Sequence, residues 1–321
     1  MKKIAISGAT GAIGMALIEK CIEEGTQVIV FVRSNSARKN RIPKNKLITV
    51  IEIGLEDLAD YEDKIRRGCA DNVNDISDID VFYHFAWNGT TGASRNDMYL
   101  QNMNVKYTLD AVKLAKAMGA KTFIGAGSQA EYGRVEGVLQ PDTPVNPENG
   151  YGMAKLCAGH MSRVMCEQLS MAHVWTRILS VYGPYDGEKS MITSVIRKLL
   201  NGDKPSLTRG EQKWDYLYSL DAANAMYLLG ERSIELDEPS ISGRTYCIGS
   251  GVAKPLSEYI RMMRDAIDSD LELGFGEIPY AEKQVMNLCA DIKDLTHDTG
   301  FLPKVDFEKG IKNTIDFIKN N

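Results

Sequence analysis

An apolar run, Lys3-Ile4-Ala5-Ile6-Ser7, ends in three glycines spaced three apart, Gly8, Gly11 and Gly14, and passes without a break into Met15-Ala16-Leu17-Ile18-Glu19-Lys20, which reads as a helix. A strand that turns directly into a helix through such a triplet leaves few folds open. Gly8 allows the sharp turn, Gly11 lets the backbone approach a pyrophosphate, and Gly14 lets the helix pack close on the strand. An anion lying there meets the free N–H groups and the positive dipole end of the helix, so Thr10, Ala12 and Ile13 belong to the same cradle. The position of the triplet between strand and helix is the context that a dinucleotide-binding turn requires.

The rest of the first half repeats the alternation. Buried-strand patterns at 3–7, 27–32, 47–53, 81–86, 122–126 and 173–178 are separated by helical patterns at 12–24, 56–68, 97–118 and 151–169. Parallel strands need such crossovers, which predicts an α/β chain with a Rossmann-type doubly wound parallel sheet. After Pro184 the pattern becomes irregular, with shorter helical stretches at 190–201, 221–232 and 256–267 and an amphipathic segment at 307–319. A length of 321 residues fits about two domains.

Charge and composition narrow the function classes. The net charge of -5 and a pI near 5.6 provide no field that would attract nucleic acid or an anionic membrane. No apolar run reaches the ~18 residues that span a bilayer, and Met1-Lys2-Lys3 leads into a strand rather than a signal peptide, so a soluble, cytoplasmic protein is expected. The six cysteines, Cys21, Cys69, Cys157, Cys166, Cys247 and Cys289, form no Cys-x-x-Cys pair, and the four histidines have no ligand spacing. Reduced thiols and the absence of a metal site are therefore expected. His84, at a strand end, reads either as a cofactor neighbour or as a packed core residue.

Tyr151 and Lys155 stand four apart in Gly150-Tyr151-Gly152-Met153-Ala154-Lys155. That spacing puts them on one helix face with the ammonium beside the phenol. A tyrosine ordinarily titrates near pH ~10, and an adjacent cation favours its phenolate, which makes Tyr151 a candidate general acid and base.

The glycine triplet with the later Tyr-x-x-x-Lys closely resembles the extended short-chain dehydrogenase/reductase family of nucleotide-sugar epimerases, dehydratases and reductases. Further matches are Gly127-Ser128-Gln129-Ala130-Glu131-Tyr132-Gly133, the segment from Arg177 to Pro184, and that from Trp214 to Asp221. The resemblance implies a dinucleotide-binding domain over 1–178, with segments near 214–232 and 243–250 returning to it. It also implies a smaller, discontinuous C-terminal substrate domain, mainly 179–321, and a homodimer built through 97–118 and 151–169.

It further implies site roles. Ser128, Tyr151 and Lys155 would be catalytic: Tyr151 exchanges a proton with the sugar oxygen, Ser128 orients that oxygen, and Lys155 lowers the Tyr pKa and holds the nicotinamide ribose. Phe85, Ala86 and Trp87 would line the cofactor, with Asn104 supporting their loop. The second strand ends in Arg33-Ser34 where an NAD-specific site places an acid for the ribose hydroxyls. Arg33 and the Ser34 hydroxyl suit a 2'-phosphate instead, so NADP(H) is the expected cofactor and NAD(H) the alternative. Gly54 occupies the position where the family carries an adenine-contacting Asp.

The places where family dehydratases carry an acid hold Gln129 and Ala130, which cannot serve as acid or base at neutral pH. Glu131 is offset from that position. Reduction of an NDP-4-keto-6-deoxyhexose at C4 is the first expectation, supported by a resemblance of Leu273–Tyr280 and Trp214-Asp215-Tyr216 to that branch. An NAD-dependent nucleotide-sugar 4-epimerase is the alternative, and a non-catalytic dinucleotide-binding regulator a third. Ser180, Arg209 and Trp214 are candidate substrate contacts.

Overall fold

The computed structural model describes residues 1–60, 76–235 and 240–321. The first turn folds as its glycines dictate: β1 (Lys3–Ser7) runs through Gly8 into α1 (Ala12–Glu23). Next come β2 (Gln27–Val32), β3 (Ile48–Glu52), β4 (Val81–His84), α2 (Met98–Ala117), β5 (Thr122–Ser128), α3 (Gly150–Gln168) and β6 (Ala172–Ile178). The helix expected over 56–68 is a 3-10 turn at Leu55–Asp60 where it can be followed; 61–68 and Cys69 lie outside the described residues.

The second half contributes β7 (Ser180–Tyr182), α4 (Met191–Leu200), β8 (Ser206–Leu207), β9 (Lys213–Tyr218), α5 (Ser219–Ser233), β10 (Thr245–Ile248) and β11 (Ala253–Pro255). It closes with α6 (Leu256–Asp265), β12 (Gly274–Phe275), β13 (Asn287–Leu288), α7 (Lys293–Thr299) and α8 (Phe307–Asn320).

Among the described residues, seven strands form one parallel sheet in the order β10-β6-β5-β4-β1-β2-β3. The chain winds outward from β1 in both directions, so the two halves part between β1 and β4. Ser7 pairs with Phe31 on one side and His84 on the other, which leaves the ends of three strands level beneath an open crevice. Doubly wound sheets bind ligands at such a switch point.

Each sheet face is buried, as continuous apolar strands require. Met15, Leu17 and Ile18 of α1 and Met226 and Leu229 of α5 cover one face, while Ala111, Val112 and Leu114 of α2 and Cys166 of α3 cover the other. Of the segment 214–232, the helix packs on α1, whereas Lys213–Tyr218 pairs with β7, β11 and β13 in a second, smaller sheet. A separate core of Ile192, Ile196, Leu256, Ile260, Ile311 and Ile315 joins α4, α6 and α8 beside it. Among the described residues, no helix is long and apolar enough to cross a membrane.

Cys21, Cys166 and Cys247 are buried free thiols, but Cys157 is exposed on α3, because its helical position faces away from the sheet.

Candidate functional site

The glycine turn supplies the floor of the site. Gly8 has φ +78°, and a Cβ there would lie 2.7 Å from the Ala86 Cα, so β1 and the chain leaving β4 approach backbone to backbone. A Cβ on Gly14 would lie 2.6 Å from the Ala9 Cα, which fixes how closely α1 sits on its strand. Gly11 caps α1 without a side-chain partner, and a Cβ there would meet nothing within 4 Å. The open space is thus in front of the helix N-terminus, where a pyrophosphate would find the first-turn amides of Ala12 and Ile13. A dinucleotide fits this cradle.

A cleft of about 570 Å³ opens there. Gly8, Thr10 and Gly11 form one wall, Phe85, Ala86 and Trp87 another, and Arg33 and Gly54 the far end. Arg33 is exposed there; Ser34 is exposed too and is not part of the wall. Asn35, Ser36 and Arg38 line the wall in its place, because the chain after β2 curls back in a bend. Asn104 is buried and clamps the loop that follows β4: its Oδ1 accepts from Asn88 N and its Nδ2 donates to Asn88 O, both at 2.9 Å.

Ser128 and Tyr151 meet beside this cleft. Ser128 ends β5, its hydroxyl accepts from Ala130 N at 3.2 Å, and it stands near enough to the Tyr151 phenol to favour the phenolate. Asn149 caps α3 by accepting from Gly152 N at 2.9 Å, which fixes the turn that carries Tyr151. The Trp87 ring stands edge-on to Tyr151 with centroids 6.0 Å apart. Burial raises the Tyr151 pKa above its ordinary value, and Glu131 adds to this; Ser128 and the Arg95 charge oppose it.

Lys155 departs from the expected arrangement. Its Nζ donates to Ala126 O at 2.5 Å and lies 3.8 Å from the Trp87 ring centroid, but 5.8 Å from that of Tyr151. Helical spacing stacks the two residues, yet the buried carbonyl competes for the ammonium. Burial draws the Lys155 pKa down to about 7, with Glu131 working against it. The cation against the Tyr151 ring is Arg95, at 4.2 Å from its centroid, a residue that no sequence signal singled out.

Two other residues settle into structural places. His84 is buried, with Nδ1 2.7 Å from Ser7 Oγ, and burial holds its pKa near 3, so it is neutral. Glu131 is fully buried and completes a capping box with Ser128, accepting from Ser128 N at 2.8 Å. Its carboxylate also accepts from Trp175 Nε1 at 3.0 Å and pairs with Arg177 Nε at 2.8 Å.

Of the substrate-side candidates, Ser180 and Trp214 are brought together, the indole donating to Ser180 Oγ at 2.7 Å. Arg209 stands apart, exposed beside Gly276.

Comparison with known proteins gives these features a context. Residues 4–249 match the model of the NAD dependent epimerase/dehydratase family. The chain is 25% identical over 330 residues to a putative UDP-glucose 4-epimerase of Methanocaldococcus jannaschii, covering 99% of each protein. Its fold is shared with a UDP-N-acetylglucosamine 4-epimerase from Methanobrevibacter ruminantium, with a TM-score of 0.84, 21% identity and 99% and 98% of the two chains covered. It is also shared with a dTDP-glucose 4,6-dehydratase from Bacillus anthracis solved with NAD, with a TM-score of 0.80, 18% identity and 100% and 97% covered.

Proposed function

From the premise that the chain belongs to the NAD dependent epimerase/dehydratase family, as an NAD(P)-dependent enzyme of the short-chain dehydrogenase/reductase type acting on nucleotide sugars, we propose that it carries out hydride chemistry at C4 of a nucleotide hexose with Tyr151 as the proton-transfer group. The observation that carries this reading is the meeting of Ser128 and Tyr151, with Lys155 one turn on, at the side of a cleft floored by the glycine turn. Gly8, Thr10, Gly11, Ala12 and Ile13 would hold the cofactor pyrophosphate, Phe85, Ala86 and Trp87 would flank its middle, and Arg33 would reach its adenosine end.

A nicotinamide cofactor held there would supply the acceptor and donor of hydride for C4 of the sugar. Tyr151 takes the proton from the C4 hydroxyl, or gives one to the C4 carbonyl oxygen, in step with that charge change. Ser128, beside the phenol, orients the same oxygen. Lys155 must release Ala126 O, or share its remaining donors, to reach a ribose hydroxyl. Ser180 and Trp214 would form part of the substrate wall, and the segments after Leu179 that do not rejoin the main sheet would form the substrate domain. Glu131 is spent on Ser128 N, Trp175 and Arg177, which disfavours it as the acid of a dehydration.

Two outcomes of the same chemistry remain, each with its own support. The names of the Methanocaldococcus and Methanobrevibacter relatives favour 4-epimerisation, in which the hydride is returned to the sugar. Arg33 and Arg38 lining the cleft favour NADP(H), and hence net reduction of a 4-keto-6-deoxysugar. Incubation with UDP-hexoses and with CDP-, dTDP-, GDP- and UDP-4-keto-6-deoxysugars, following NADPH and NADH absorbance, separates them. Stoichiometric NADPH oxidation identifies the reductase, and interconversion of UDP-hexoses without net oxidation identifies the epimerase. Loss of either activity in Tyr151→Phe with cofactor binding retained is expected; full activity in that variant would refute the proposal. A homodimer through the exposed faces of α2 and α3, which carry Met103, Met161 and Val164, is proposed with it and is checked by light scattering.

A further inference from the structure

Two cations lie within reach of the Tyr151 ring, and their order reverses what the Tyr-x-x-x-Lys spacing suggests. The Arg95 guanidinium carbon is 4.2 Å from the ring centroid, whereas Lys155 Nζ is 5.8 Å away and donates to Ala126 O. A guanidinium stacks on an aromatic face and stays charged throughout the accessible pH range.

Arg95 is held in place by the fold around it. It belongs to a 3-10 turn, Gly92–Asn96, between β4 and α2. Its Nη1 donates to Thr90 O at 3.1 Å, and Ser94 Oγ donates to Thr91 O at 2.6 Å. Gln101 Nε2 donates to Gly89 O and to Ser94 O, at 2.8 and 2.9 Å. Asn96 Oδ1 accepts from Gly150 N at 3.0 Å, which ties this turn to the residue just before Tyr151. Gly150 leaves room for the contact, since a Cβ there would lie 3.1 Å from Arg95 O. The turn and the helix N-terminus thus form one packed unit that presents the guanidinium to the phenol ring.

Resting on the reading of Tyr151 as the proton-transfer group, we propose that Arg95 is a positioning residue that acts through Tyr151: its guanidinium holds the ring and stabilises its phenolate form during turnover. Every packed element contributes a group to that environment. Ser128 at the end of β5 favours the phenolate; Glu131 of the following turn opposes ionisation while paired with Arg177; Trp87 after β4 stands edge-on to the ring, with Lys155 of α3 against Trp87 and with His84 neutral. Lys155, drawn down by burial to about 7, loses charge as pH rises through neutrality. An opposite charge close to an ionising group shifts its titration by on the order of 1–3 pH units, and a guanidinium over the ring favours the phenolate in the same direction.

The test reads Tyr151 directly. Replacing Tyr151 by 3,5-difluorotyrosine lowers its intrinsic pKa, and fluorine NMR follows its ionisation in the full chain. In an Arg95→Gln background the midpoint should rise by about one unit or more, and Arg95→Lys should recover most of the difference. An unchanged midpoint in a folded Arg95→Gln protein overturns the proposal. The pH profile of turnover, with the nucleotide sugar that the wild type accepts, should shift in the same direction with kcat affected more than KM. A change confined to KM also overturns it. Because the fluorine titration needs no turnover, failure of the functional reading, with no substrate accepted by the wild type, is distinguishable from failure of this one.

Discussion

Removing the Glu131 carboxylate should cost the fold far more than removing a surface acid. The group is fully buried, and it satisfies three buried donors at once: Ser128 N at 2.8 Å, Trp175 Nε1 at 3.0 Å and Arg177 Nε at 2.8 Å. Glu131→Ala leaves the Arg177 guanidinium, itself only 7% exposed, without its counter-ion. Breaking a buried pair from one side costs about 3–5 kcal/mol. The lower end applies here, because a cleft of about 230 Å³ lined by Glu131, His173, Trp175 and Arg177 lets water reach the orphaned donors, and Arg177 Nη1 keeps its bond to Pro141 O. A loss of about 3 kcal/mol corresponds to a Tm lower by roughly 4–5 °C. Glu131→Gln keeps an acceptor and should lose about half as much. Urea denaturation of Glu131→Gln, Arg177→Met and the double variant measures the pair directly. Coupling below ~0.5 kcal/mol would show that the two groups act independently and refute the argument.

Gly14→Ala should destabilise by about 1–3 kcal/mol in urea denaturation and weaken cofactor binding, since its Cβ would lie 2.6 Å from backbone at Ala9; unchanged stability would mean that α1 has room to move. Arg33→Asp should weaken NADPH relative to NADH by about 10–150-fold, the range for losing one charge-assisted bond of ~1.5–3 kcal/mol, as read by titration of cofactor fluorescence. Acid should unfold the protein through its buried imidazoles. His84 and His173 are held near 3 by burial against an ordinary 6.5, so the unfolded chain takes up their protons first, and stability present above about 6.5 falls as pH drops toward 3. His173→Phe, stacked between Phe123 and Trp175, should lower the midpoint of acid unfolding; an unmoved midpoint would assign the transition to carboxylates.

What the sequence disclosed, and what it did not, divides along the range of the physics involved. The β1–α1 turn was fully legible, because the demands at Gly8 and Gly14 are made by backbone within a few residues, or by a strand whose place follows from the same alternation. The parallel sheet followed from the spacing of its strands and crossovers. The short strands of the second sheet did not, since segments of two to six residues owe their pairing to one another rather than to any local pattern.

The same division runs through the site. A Tyr and a Lys four apart must stack, but nothing local decides which buried acceptor captures the ammonium, and Ala126 O, 29 residues away in sequence, does so. Arg95 carried no signal, because its place over Tyr151 depends on how a turn after β4 seats on the start of α3, through Asn96 and Gly150. Ser34 was read as a cofactor contact from its distance past a strand end; the bend that follows turns it outward and brings Asn35, Ser36 and Arg38 to the cleft. The residue just past β2 therefore bears on any preference for a 2'-phosphate, whereas the path of the loop decides which of the next side chains line the cleft. A variant that shortens the 35–38 bend should for that reason alter NADPH affinity with Arg33 still in place, and an unchanged affinity would return the whole of that preference to Arg33.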